Sequence, residues 1–152
     1  MSLIRPTRSA QRVLCSEYIF NFNDTVVDIN GATKDYGSAT IASAPVADII
    51  KLPLGAQIVG GDLVVVTAGV GPTAYTVKLG IAGNDACYLA ASDLLAAANT
   101  RYALLLTTAN ASNAGADIRL TMVDSVAVST AGKWKLTVLW KIDGKTDEVY
   151  PN

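Results

Sequence analysis

The sequence predicts an all-β chain, folded as a two-layered sandwich. Three observations lead there. Apolar side chains recur with period two in several segments, the spacing that sends alternate strand residues to opposite faces. Turn-forming residues divide these segments at short intervals, as in sandwiches and barrels. Eleven of the thirteen acidic residues are Asp, while Glu, the better helix former, occurs only as Glu17 and Glu148.

In chain order, Tyr18, Phe20 and Phe22 open the pattern as the apolar face of a first strand. Ile41 to Leu52 reads as a strand broken at Pro45, hence an edge or bulged one, because proline cannot donate to a ladder. Ile58-Val59 and Leu63-Val-Val-Val-Thr67 are apolar on both parities, as expected of a strand covered on both sides, and this favours a sandwich over a barrel. Tyr75 to Ile81 and Asp117 to Met122 alternate again. The clearest case is Lys133 to Ile142: Trp134, Leu136, Val138, Trp140 and Ile142 share one face, and Lys133, Lys135 and Lys141 the other. Turns are expected at Asn30-Gly31, Pro53-Leu54-Gly55, Gly60-Gly61, Gly69 to Pro72, Gly83 to Asp85, Asn113 to Gly115, Ala131-Gly132 and Asp143-Gly144. Eight or nine strands follow. One short helix is expected over Asp93–Ala98, capped by Ser92 and ended by Asn99.

The 152 residues suit one domain, divided into a basic arm (1–12), a β-sandwich (13–143) and a C-terminal tail (144–152). Charged residues make up 16%, against about 25% in an average soluble domain. Net charge is −1, but it is uneven: Arg5, Arg8 and Arg12 lie in an arm without acids, and the remainder carries −4. Such a balance gives no broad field for gathering nucleic acid. The absence of His removes Ser-His-Asp and Cys-His catalysis, His-ligated zinc and any switch titrating near neutrality. No apolar run approaches the ~18 residues of a membrane helix, and the first ten residues lack the apolar stretch of a signal peptide. Cys15 and Cys87 are read as two small buried hydrophobes.

Each candidate for chemistry has a plainer reading. Gly69-Val70-Gly71 lacks the third glycine and the Gly-Lys-Ser/Thr of phosphate-binding loops, so a hairpin is expected. Asp24, Asp28 and Asp35 could offer oxygens to calcium but match no loop motif, and solvating a turn is the alternative. Glu17 as a glycosidase acid would need a second carboxylate nearby; a solvent-facing strand position is expected instead. No catalytic residue, cofactor or metal is expected, and no enzyme. Trp134 and Trp140 are assigned to the core by their in-phase aliphatic neighbours, and Tyr36, Tyr88 and Tyr150 to loops where they could form exposed platforms. The arm is either a leader with no partner or a docking segment, with Leu3 and Ile4 buried in a groove or along a sheet edge and Arg5, Arg8 and Arg12 on acidic patches.

The segment Leu52-Pro-Leu-Gly-Ala-Gln-Ile-Val-Gly-Gly-Asp-Leu-Val-Val-Val-Thr67, with Tyr75 to Ile81 and Tyr88-Leu-Ala-Ala-Ser-Asp-Leu94, resembles the jelly-roll cement (decoration) proteins of tailed-bacteriophage capsids. The resemblance covers roughly residues 40 to 142 and leaves the arm outside. It implies a jelly-roll-like sandwich of about eight strands, located on the outer capsid surface of a virion and made in the host cytoplasm. It further implies a partner in the major capsid protein, self-association as a dimer or trimer, and shell stabilisation by bridging subunits. A head-fibre or tail module that binds glycans or receptors is the other role open to such folds.

Overall fold

The computed structural model describes residues 13–37, 44–107, 115–124 and 127–142. Among them are ten strands and no helix: β1 (Leu14–Asn21), β2 (Thr25–Val27), β3 (Thr33–Asp35), β4 (Val46–Ile50), β5 (Ala56–Val70), β6 (Tyr75–Ile81), β7 (Asn84–Asp93), β8 (Arg101–Ala103), β9 (Ile118–Asp124) and β10 (Ala131–Ile142). One four-stranded sheet has the order β1-β10-β5-β8 and the other β4-β9-β6-β7, with β2-β3 as a separate hairpin. Every pairing is antiparallel. With the hairpin set aside, eight strands are shared four and four between two sheets in the order of a jelly roll, two interleaved Greek keys, with β6 and β7 the one consecutive pair in the same sheet. The extra hairpin sits between the first and second of these eight strands.

The core lies between the sheets, where the period-two pattern places it. On β10, Trp134, Leu136 and Val138 are buried, and Trp140 packs half-buried against them. Phe20 faces Trp134 from β1, and Val65 from β5. The opposite sheet contributes Val77, Leu79, Leu120 and Met122. An aromatic chain crosses this core: Tyr18 to Phe20 (5.8 Å between centroids), Phe20 to Tyr36 (4.9 Å), Phe20 to Trp134 (5.3 Å) and Trp134 to Tyr75 (5.3 Å, edge-on). Tilted and edge-on rings at these spacings match the aromatic quadrupole and add to burial.

Two expected turns are instead parts of strands. Gly60-Gly61 lies inside β5, which sets fifteen residues against twelve of β10 and absorbs the three extra ones as bulges. One bulge falls beside Gly60. Gly61 holds φ 139°, and a Cβ there would lie 2.2 Å from the Thr137 carbonyl oxygen, so only glycine fits. Ala131-Gly132 begins β10, with Gly132 at φ 146° leaving room for the Trp134 ring, 2.2 Å from where its Cβ would be. The sequence shows only that glycine is needed; the ladder decides whether it serves a turn or a bulge.

The expected helix at Asp93–Ala98 is a chain of turns, because tertiary partners claim its backbone. Leu94 is fully buried, its N–H donates to Tyr75 O (2.8 Å), and its carbonyl accepts from Gly69 N (2.8 Å) and Trp134 Nε1 (3.2 Å). Ser92 Oγ bonds Ala90 O and caps nothing; Asp93 Oδ1 accepts from Leu95 N (2.8 Å) in a side-chain turn. Asn99 does reverse the chain at φ 70°, with its N–H on Val65 O. The edge reading of the Pro45 segment holds: β4 is an edge strand with a register shift between Asp48 and Ile50.

Candidate interaction surface

The two outer faces of the sandwich carry charge that is largely neutralised within the chain. On the first sheet, Lys135 Nζ reaches Glu17 (3.2 Å) and Arg101 pairs with Asp62. On the second, Arg119 grips Asp48 with two bonds (2.8 and 3.1 Å), and Lys78 meets Asp85 at 3.3 Å. The hydrogen bonds that Arg119 donates to the Asp48 carboxylate raise its pKa further. Exposed cross-strand pairs of this kind contribute on the order of 0.5 kcal/mol each. They leave little unpaired charge for a ligand.

Apart from Ile19 and Val66 on the first sheet, apolar exposure gathers at the two ends. At one end, β4 turns into β5, β8 leaves its sheet, β1 begins and β10 finishes. There Leu54 is 92% exposed, and Val13, Leu14, Leu105 and Leu106 are all exposed. The turn is held by Gly115 N on Ala56 O (2.9 Å), and Leu105 N crosses to Tyr88 O (2.7 Å) in the other sheet. Since Leu14 pairs with Trp140, the start of β1 and the finish of β10 lie side by side at this end. The opposite end holds the β2–β3 hairpin and the remaining connections, tied by Ser129 N on Gly37 O (3.1 Å) and Thr130 N on Val70 O (2.8 Å), with Val27, Ile29, Val70 and Val128 exposed.

The arm residues Leu3, Ile4, Arg5, Arg8 and Arg12 lie outside the described residues, as do Tyr150 and the C-terminal tail. The Trp134 face is core, as expected. Tyr36 and Tyr88 are not surface platforms; they are 1% and 2% exposed. Tyr36 is fixed by Tyr18 Oη (2.7 Å) and by Tyr75 Oη, which donates to its carbonyl, so the aromatic core draws this loop residue inward. Glu17 is exposed on β1, its carboxylate on Lys135. The aspartates solvate turns: Asp24 accepts from Asn21 N (2.8 Å) and Nδ2 (2.9 Å), Asp28 from Asn30 N and Ala32 N (both 2.9 Å), and Asp35 from Gly37 N (2.7 Å). The bonds from Ala32 and Asn30 hold the Asp28 pKa below its ordinary value. No cluster of metal-ligating side chains occurs among the described residues. Cys87 is buried as expected, and burial raises its thiol pKa, which keeps it in the unreactive form. Cys15 is exposed, because odd positions of β1 face outward, and no disulfide joins the two.

Leu54 and the Leu105-Leu106 pair went unrecognised as surface in the sequence. A leucine between Pro53 and Gly55 was the available signal, since a turn cannot bury its tip.

The pH response of the fold follows from these groups. Burial first, then the bond to Tyr18, pushes the Tyr36 phenol far above its ordinary pKa. The unfolded chain releases that proton near pH 10 while the folded chain keeps it, so the stability is complete below about pH 10 and is lost as pH rises further. With no His to titrate, urea midpoints should stay level from about pH 6 to 8, begin to fall where the unfolded Cys87 thiol ionises, and fall more steeply above about pH 10. In Tyr36→Phe the alkaline fall should be shallower; an unchanged slope would assign it to other groups.

No protein-family model and no curated protein matches the sequence. Three solved structures share the fold. A chain of the cyanophage Pam1 capsid asymmetric unit superposes with TM-score 0.59 at 20% identity, over 93% of this chain and 94% of that one. A chain of the acidic stable capsid of Helicobacter pylori bacteriophage KHP30 gives 0.53 at 17%, over 93% and 96%. A chain of the Ralstonia phage GP4 capsid gives 0.53 at 18%, over 94% and 92%.

Proposed function

We propose that this chain is a non-enzymatic structural virion protein that binds the outer surface of a phage capsid and stabilises it by bridging major capsid protein subunits. The observation that carries the reading is likeness across the whole chain: the jelly roll matches chains from three phage capsids over more than 90% of both partners. The surface is compatible with it. Paired charges on the outer faces and apolar side chains at the ends suit a contact made by shape and burial. A protein that binds only the assembled shell stabilises that shell by mass action. In this reading Leu3, Ile4, Arg5, Arg8 and Arg12 contact a capsid neighbour, since the arm enters the fold beside the exposed Leu14 and Val13. Burial of Tyr36 and Tyr88 weakens the glycan-binding alternative by removing two of its three aromatic platforms.

Co-sedimentation with mature and immature shells tests the role. The full chain should pellet with mature shells in preference to immature ones, and equal or absent binding would count against the reading. Deletion of residues 1–12 should leave a folded domain with binding weakened about tenfold or more, the order expected when several apolar and charge-assisted contacts are lost. Undiminished binding would remove the arm from the mechanism.

A further inference from the structure

We infer that β1 is a self-association edge: two copies of this chain join their first sheets by antiparallel β1–β1 pairing about a two-fold axis. This goes beyond the proposed function, and it gives the self-association that the sequence resemblance implies a surface and a register.

A sheet edge offers unpaired N–H and C=O groups to any passing strand, and folded proteins blunt such edges with shortness, bulges, proline or lysine. Three of the four edges here are blunted. β8 has three residues, β4 has five and a register shift, and β7 pairs irregularly with β6 while Tyr88 O accepts from Leu105 N. β1 is different. Its eight residues pair with β10 in unbroken register, it contains no Pro, Gly, Lys or Arg, and its single charge, Glu17, is engaged by Lys135. Among the described residues no strand pairs with its other side.

The occupant follows from geometry and charge. If the inner faces are to continue across the joint, opposed residues must share parity, so odd faces odd. A register with Glu17 opposite Glu17 places like charges together and is disfavoured. The longest register that avoids this sets Tyr18 against Tyr18, Glu17 against Ile19 and Cys15 against Asn21, pairing seven of the eight residues of β1. Leu14 then lies opposite Phe22 and Val13 opposite Asn23, which adjoins the turn of the second copy that carries Asp24 and Asp28, and the sequence preceding Val13 holds Arg12 and Arg8 and no acid. The basic sequence and the acidic turn are complementary in charge, and the two-fold presents that complementarity twice.

The test uses the full chain without shells. Sedimentation velocity from about 1 to 100 μM, a range bracketing micromolar affinity, should show a dimer; a monomer throughout overturns the inference. In a Cys15→Ser background, Glu17→Cys combined with Ile19→Cys puts opposed thiols within disulfide reach and should cross-link on mild oxidation. Either substitution alone leaves its thiol about 7–8 Å from its symmetry mate, measured between backbones, and should not. A double variant that cross-links no more than the single ones overturns the register and the surface together. Ile19→Lys, at an exposed position, should raise the dimer Kd about tenfold or more by the negative-edge effect of lysine; an unchanged Kd overturns the inference. A monomer that still pellets with shells would sink this inference and spare the proposed function, and a dimer that ignores shells would do the reverse.

Discussion

Trp134→Ala should cost about 4 kcal/mol and lower the melting temperature by about 10 °C. The indole is fully buried, touches the Phe20 and Tyr75 rings at 5.3 Å each, and donates to Leu94 O at 3.2 Å. Its removal opens a cavity at the point where both sheets and the 94–100 connection meet, and the surrounding rings are too constrained to collapse into it. Trp134→Phe separates the contributions. It keeps a ring in place and should cost about 1 kcal/mol for the lost donor, because Leu94 O still accepts from Gly69 N. Chemical denaturation of both variants checks this; equal costs would mean that the hydrogen bond, and not the volume, carries the effect.

Gly61→Ala should cost about 3 kcal/mol or more. A methyl there meets the Thr137 carbonyl oxygen at 2.2 Å and Leu104 Cδ1 at 2.9 Å, while φ 139° is already unfavourable for an L-residue. The clash is with the backbone of the neighbouring strand, so relief requires the β5–β10 ladder to part beside its bulge. Gly31→Ala is the control. Gly31 has φ 81° but no atom within 4 Å of the added carbon, so only backbone strain is felt, about 1 kcal/mol. If the two variants unfold at the same urea concentration, steric exclusion at the bulge is not what Gly61 relieves.

Much of the sandwich was legible because period two is a local signal. Alternation from Lys133 to Ile142 gives the strand, its buried face and the place of Trp134 without knowledge of any partner. Gly60-Gly61 was misread because a bulge is defined by what lies across the ladder, which no local pattern records. Asp93–Ala98 differs for a related reason: its helical propensity is real, but Gly69 and Trp134 occupy the Leu94 carbonyl that a helix would need, and Tyr75 ties the Leu94 N–H to the opposite sheet. The loop position of Tyr36 leaves an exposed platform open to it in the sequence, whereas Phe20 and Tyr18 beside it supply an aromatic socket that only the fold assembles. The interaction surface was the least legible part. A leucine is read as core by default, and Leu54 becomes surface only because the β4–β5 turn projects beyond both sheets.

The adjacency of Leu14 and Trp140 has a mechanical consequence. Tension applied between the leading and trailing ends of the chain would act at one extremity of the β1–β10 ladder and peel it one pair at a time, as a zipper opens. Tension between the leading end and the far loops would pull along β1 and load all eight pairs with β10 in shear. The same domain is therefore compliant along one axis and stiff along the other. A partner that loads this domain strains it least by pulling from the start of β1 against the loops opposite.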